Sequence, residues 1–175
     1  SFSWSTHGWT SRVPLPQDDV VVSNVFTGSP FVNMDMPRPG RSIDFSGGSG
    51  SFPTLIGTSV LILGSLILRS GATCSLGNLS FGGRGNYVLT TGGATLPMNY
   101  LILQAPGGTL TQQDDLTWSG PVLWTISSGT WSTNGFKFTS TSSTAQSTHG
   151  GTLTITGSTL SFAYTGSSNF LNISV

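Results

Sequence analysis

Apolar residues in this chain come in short alternating bursts, three to five residues long, set off by glycine, serine, asparagine and proline. Ser42-Ile43-Asp44-Phe45, Thr109-Leu110-Thr111 and Thr152-Leu153-Thr154-Ile155 are examples. Strict alternation over so few residues marks β-strands with one buried face. The bursts also recur. Gly108-Thr109-Leu110, Gly129-Thr130-Trp131 and Gly151-Thr152-Leu153 follow one another at steps of 21 and 22 residues. A fixed period of this length is the mark of a solenoid, in which each turn is one supersecondary unit stacked on the last.

Aligned strand starts at Ser42, Ser65, Tyr87, Gly108, Gly129, Gly151 and Phe170 extend the period through most of the chain. A second register runs between them through Asn78–Phe81, Tyr100–Leu103, Val122–Trp124, Gly135–Phe138 and Thr159–Phe162. At least two strands per turn are therefore expected. The fold expected is all-β, a right-handed parallel β-helix of about 6–7 coils with rungs of about 21–22 residues. Leu66, Leu68, Val88, Leu110, Trp131, Leu153, Ile155, Leu171 and Ile173 are its expected inward column. A β-sandwich would also show many short strands, but it does not require this period. Disorder is excluded for most of the chain by its Trp, Phe and β-branched content. The run Ser140–Ser147 reads as a protruding loop.

Residues 1–40 lack the repeat and carry Trp4, Trp9, Pro14, Pro16 and Pro30. They are expected to cap the open end of the solenoid, which would otherwise present bare strand edges and core, and to lead into the first coil through Val20-Val21-Val22. Residues 41–175 form the β-helix. It is expected to continue past Val175, because the chain stops inside a strand pattern.

Composition sharpens this picture. Only 7% of residues are charged: six Asp, no Glu, five Arg and one Lys, with zero net charge. The helix-forming surface residues are scarce, which agrees with an all-β chain. Scattered cations without a basic face argue against nucleic acid. No apolar run is long enough for membrane insertion as a helix. Cys74 stands alone, so no internal disulfide framework exists, and it reads as a small buried apolar residue.

Several phrases stand together in order: Pro14-Leu15-Pro16-Gln17-Asp18-Asp19-Val20-Val21, Arg41-Ser42-Ile43-Asp44-Phe45, Ala105-Pro106-Gly107-Gly108-Thr109-Leu110-Thr111 before Asp114-Asp115-Leu116, then the Gly129 and Gly151 repeats. In this the chain resembles the β-helical structural proteins of tailed bacteriophages and prophages: tail fibres, tailspikes and related adhesin segments. The motifs are structural punctuation rather than catalytic signatures. The resemblance implies a virion-surface or extracellular location, homo-oligomers with a trimer favoured, contact with other virion proteins, and binding of host surface glycans. It points to a non-enzymatic scaffold or recognition module. A polysaccharide-degrading tailspike domain and a secreted bacterial adhesin are the alternatives.

Candidate chemistry is sparse. Asp114 and Asp115 are the weak catalytic candidates, since glycosidases use paired carboxylates. Adjacent strand residues face opposite ways, so the pair reads first as turn-forming side chains that bond nearby backbone N–H groups. Asp18-Asp19 reads the same way. Asp35 and Asp44 are expected to pair with Arg38 or Arg41. His7 and His149 are far apart, and no metal motif is present, so no metal and no cofactor are expected. Gly82-Gly83-Arg84-Gly85 lacks the strand-to-helix context of a phosphate loop and reads as a rung corner. Trp118, Trp124 and Trp131 are the glycan- or subunit-contact candidates if any of them points outward, and core residues if they point inward. A flat Thr-x-Thr ladder would suit an ice-binding face, but Ser65–Leu68 and Tyr87–Thr90 interrupt it.

Overall fold

A computed structural model describes residues 2–3, 9, 12–23, 25–27, 31–141, 146–148, 150–162 and 171–172. Trp4, His7, His149 and Ile173 lie outside them. Among the described residues there is no helix, and the strands stack in parallel about one repeat apart into a β-solenoid of about six turns.

Three faces run along the solenoid. On the first, Asp19–Val21, Ser42–Asp44, Leu66–Ile67, Asn86–Thr90, residues 109–112, 130–132 and Gly151–Thr154 pair in succession. On the second, residues 59–62, 78–81, 100–104, 123–128, Gln146–Thr148 and Leu171–Asn172 do the same. The third holds Phe31–Asn33 and residues 54–57 and 73–76, followed by Thr95–Leu96, Leu116–Trp118, Phe138–Ser140 and Leu160–Phe162. The Gly-Thr-(Leu/Trp) repeat stacks on itself: Thr109, Thr130 and Thr152 are partners, as are Leu110, Trp131 and Leu153. Glycine is needed at the corner before it. Gly129 has φ +87, and a Cβ there would lie 2.3 Å from the Ala105 carbonyl oxygen.

The third face resolves an oddity of the sequence pattern. The second register drew on two faces at once. Residues 78–81, 100–103 and 123–124 belong to the second face, whereas Phe138 and 160–162 belong to the third. The offset from the main register therefore shrinks in the last two turns. The coil also begins earlier than the expected boundary at residue 41. Asp19–Val21 and Phe31–Asn33 already pair with the next turn, and Val20, Val22, Val32 and Met34 are buried. Much of the segment assigned to a cap is thus the first turn, with half-buried Trp9 packed against its core.

The inward column is corrected in two places. Leu66, Leu68, Leu110 and Trp131 are buried as expected, but Val88 is half-exposed and Leu89 is buried in its place. Leu89 pairs with Leu66, a step of 23 rather than the 22 between Ser65 and Tyr87. A slip of one residue exchanges the two faces of a strand. Ile155 is 44% exposed because its strand ends at Thr154 and a turn follows.

One turn is filled by aromatic rings contributed from all three faces. Trp124, Trp131 and Phe138 are each buried. Trp124 meets Phe138 at 4.8 Å between ring centroids and Trp131 edge-on at 5.9 Å. Edge-to-face and tilted contacts of this kind add to the burial of large apolar area. The turn before holds Leu101, Leu103, Leu110, Leu116 and Trp118, and the one before that Leu79, Phe81, Leu89, Leu96 and Met98. Leu89→Ala should therefore cost about 2–5 kcal/mol in chemical denaturation, whereas Val88→Ala should cost under about 1 kcal/mol. Equal costs would contradict this register.

Candidate functional site

The carboxylates singled out by sequence sit at the corner between the first and third faces. Asp114 reaches back to the preceding turn. Its oxygens accept from the backbone N–H of Thr91 at 2.9 Å and of Gly92 at 2.6 Å, and from the Thr91 hydroxyl at 3.2 Å. Asp115 reaches the other way and accepts from the Lys137 N–H of the following turn at 2.9 Å. The two acids therefore diverge along the solenoid axis. They do not flank a common space, as a glycosidase pair must. Each does what a turn carboxylate does, satisfying backbone donors that a tight corner leaves unpaired.

Their neighbours continue the pattern from turn to turn. Asn134, in the left-handed conformation at φ 51, donates its side-chain amide to the Gln112 carbonyl at 3.3 Å. The Ser158 hydroxyl accepts from the Gly135 N–H at 2.9 Å, and Thr133 donates to the Thr154 carbonyl at 3.0 Å. Inside the corner, fully buried Gln112 donates to the carbonyls of Asp114 and Lys137, both at 3.0 Å, and accepts from the Trp131 indole at 3.2 Å. The Gln112 amide thus ties its own turn to the next. A buried side-chain network of this kind is worth its place only when its members find partners.

The tryptophans are interior. Trp118, Trp124 and Trp131 are 0%, 1% and 0% exposed, so none offers a ring face to a sugar or a subunit. Of the two orientations left open by the sequence, packing selects the inward one, because each lies at the inward phase of its strand. The Trp118 indole donates to the Met98 carbonyl at 3.0 Å.

Charged groups near the start of the coil pair differently from expectation. Arg41 binds Asp19 rather than Asp35 or Asp44, with Nε donating at 2.9 Å, and Arg12 donates to Asp18 at 2.9 Å. Asp44 instead accepts from the Ser46 N–H at 2.7 Å. The Arg12 hydrogen bond, and then the Leu15 N–H, hold the Asp18 carboxyl below its usual range, and the Arg41 hydrogen bond does the same for Asp19. Cys74 is buried, which pushes its thiol up to about 12. Among the described residues no group of three or more His, Cys, Asp and Glu side chains could hold a metal ion.

The surface is rich in hydroxyls. On the third face Thr54 stacks on Thr73, their hydroxyls 2.7 Å apart, and Thr95, Thr117, Thr139 and Ser161 form a second column. Of these column residues only Thr139 falls in a Thr-x-Thr phrase, Thr139-Ser140-Thr141; Thr109-Leu110-Thr111 and Thr152-Leu153-Thr154 lie on the first face. Of the Ser140–Ser147 run, residues 142–145 lie outside the described residues. Ser140 is buried at the end of a strand, and Gln146–Thr148 forms another.

Against this geometry, comparison with protein-family models, with curated proteins and with solved structures finds no match for the chain.

Asp114→Ala should lower unfolding free energy by about 1–3 kcal/mol, since it strands buried backbone donors, and Asp115→Ala, with one exposed bond, by less than about 1 kcal/mol. The acid limit of the two ion pairs has a defined sign. Each folded carboxyl is depressed, so its contribution is present above the unfolded value of about 3.9 and lost as pH falls through the folded one. Arg41→Ala should give a small drop in melting temperature at pH 7 and low salt. That difference should shrink in high salt and be lost as pH falls below the unfolded value and through the depressed folded one.

Proposed function

We propose that this chain is a non-enzymatic structural segment of a virion surface appendage, a tail fibre or spike of a tailed phage or prophage. In that role it acts as a rigid scaffold and contributes to recognition of host surface glycans. One observation supports the scaffold most directly: Asp114 and Asp115, the acids best placed by sequence for catalysis, are spent on backbone N–H groups of the turns before and after them. Side chains that join turn to turn stiffen a rod. They do not assemble a reaction centre. The hydroxyl columns and the 7% charge content suit a surface that depends little on ion pairs.

In this reading the partners are identical chains, a trimer, together with other virion proteins and host glycans. The location is the virion surface. No cofactor takes part. The competing reading is a polysaccharide-degrading tailspike domain, with Asp114 and Asp115 as its acids.

Two measurements separate these readings. Immunogold labelling of phage particles, or of induced prophage, from the chain's source should decorate fibres or spikes at the tail. Label absent from particles would overturn the virion assignment. The purified chain should release no reducing ends from host capsular or surface polysaccharide. Release that Asp114→Ala or Asp115→Ala abolishes, with folding retained, would establish the enzyme instead.

A further inference from the structure

The corner between the second and first faces carries a cavity that none of these roles uses. It has a volume of about 290 Å³ and is lined by Pro16, Gln17, Arg41, Leu63, Arg84 and Tyr87, with the backbone of Gly82 and Gly83. Leu63, Pro16 and half-buried Tyr87 provide an apolar floor. The glycines let the loop close onto the tyrosine ring. A Cβ at Gly83 would lie 2.2 Å from Tyr87 Cε2 and 1.9 Å from the Leu63 carbonyl oxygen.

The two arginines come from turns two steps apart, so their backbones are separated by roughly two strand spacings, about 10 Å along the axis. Arg41 is paired with Asp19, whereas Arg84 makes no ion pair among the described residues. Asp18, Asp44, Asp114 and Asp115 are engaged elsewhere, with Arg12, Ser46, Thr91 and Lys137, and Asp19 is held by Arg41. The cavity lining therefore carries two guanidinium groups, of which Asp19 neutralises one. An exposed planar guanidinium with its donors uncommitted fits an incoming carboxylate in bidentate fashion.

The geometry points to this cavity as a binding site for an acidic saccharide, a sugar carrying a carboxylate. Arg84 would take the charge, and the Tyr87–Leu63–Pro16 floor would take the apolar face of the ring. An aromatic ring beside polar groups suits a sugar, which has an apolar body and a polar rim. An extended acidic peptide fits less well. The neighbouring strands Ser42–Asp44, Leu66–Ile67 and Asn86–Thr90 are joined to one another, and a peptide would find no free edge there to extend. The inference rests on the host-glycan part of the reading above and names the site and the ligand class for it.

Calorimetric titration of the whole chain tests it, with oligogalacturonate, hyaluronate oligomers and oligosialic acid as probes. Methyl-esterified oligogalacturonate, an oligo-aspartate peptide and inorganic phosphate serve as comparisons. At least one of the three acidic saccharides should bind, and Arg84→Gln should weaken it about tenfold or more. Arg38→Gln, which removes the same charge outside the cavity, should leave it unchanged. Binding by none of the three saccharides overturns the proposal. So does equal binding of the methyl ester, the peptide or phosphate, or equal weakening by Arg38→Gln, which would mark unspecific attraction. Arg84 is exposed, and circular dichroism with thermal melting establishes that the variant folds. A chain that labels tail fibres yet ignores these saccharides keeps the scaffold role and loses this site. Arg84-dependent binding without tail label does the reverse.

Discussion

The parallel pairing of each turn with the next is the constraint on which the rest of this structure depends. A strand in a solenoid has no partner close in sequence. It is held by residues one whole turn before and after, so each position must agree in phase with positions about 22 residues away. Leu66 and Leu89, or Leu110 and Trp131, are buried together, with half-buried Leu153 next in line, because the ladder places them in one column. A shift of one residue in any turn would send a buried leucine outward and a threonine inward. The cost of such a slip is what holds the register.

The ladder alone leaves the corners unsatisfied, and the chain meets that need with its few polar and charged groups. Asp114, Asp115, Asn134 and Ser158 each bond a backbone group of an adjacent turn, and Gln112 does so from inside. A chain with so few carboxylates has little left for other chemistry once these are engaged. The same economy explains the surface. Threonine and serine satisfy strand preference on outward positions without the charge that ordinary domains place there. A rod of this kind gains length by adding turns, each stabilised mainly by its neighbours.

Much of the architecture was legible in the sequence, for a physical reason. Solenoid stacking demands a repeat, and a repeat is visible without knowing what touches what. The Gly-Thr-(Leu/Trp) phrases marked true partners. The turn-forming role of the Asp114-Asp115 pair could also be read, since adjacent strand residues cannot converge. The alignment failed where the period itself varies. The step is 23 between Leu66 and Leu89, 21 between Leu110 and Trp131, and 19 between Val60 and Leu79. Unequal corners break a fixed-period alignment, and this exchanged Val88 for Leu89. The first turn was legible only at its entry through Val20-Val21-Val22; its prolines and its irregular spacing conceal Phe31–Asn33.

The sequence by itself determined the fold class, the approximate rung length and the inward phase of most strands, because alternation and period are properties of the chain. Only the tertiary structure decided the number of faces, the burial of all three tryptophans, and the partners of each charge. Arg41 meets Asp19 across 22 residues, and Arg84 comes beside Tyr87, Leu63 and Arg41 at one corner. Such neighbours are set by how many residues each corner consumes, and that is a matter of closure in space rather than of local pattern.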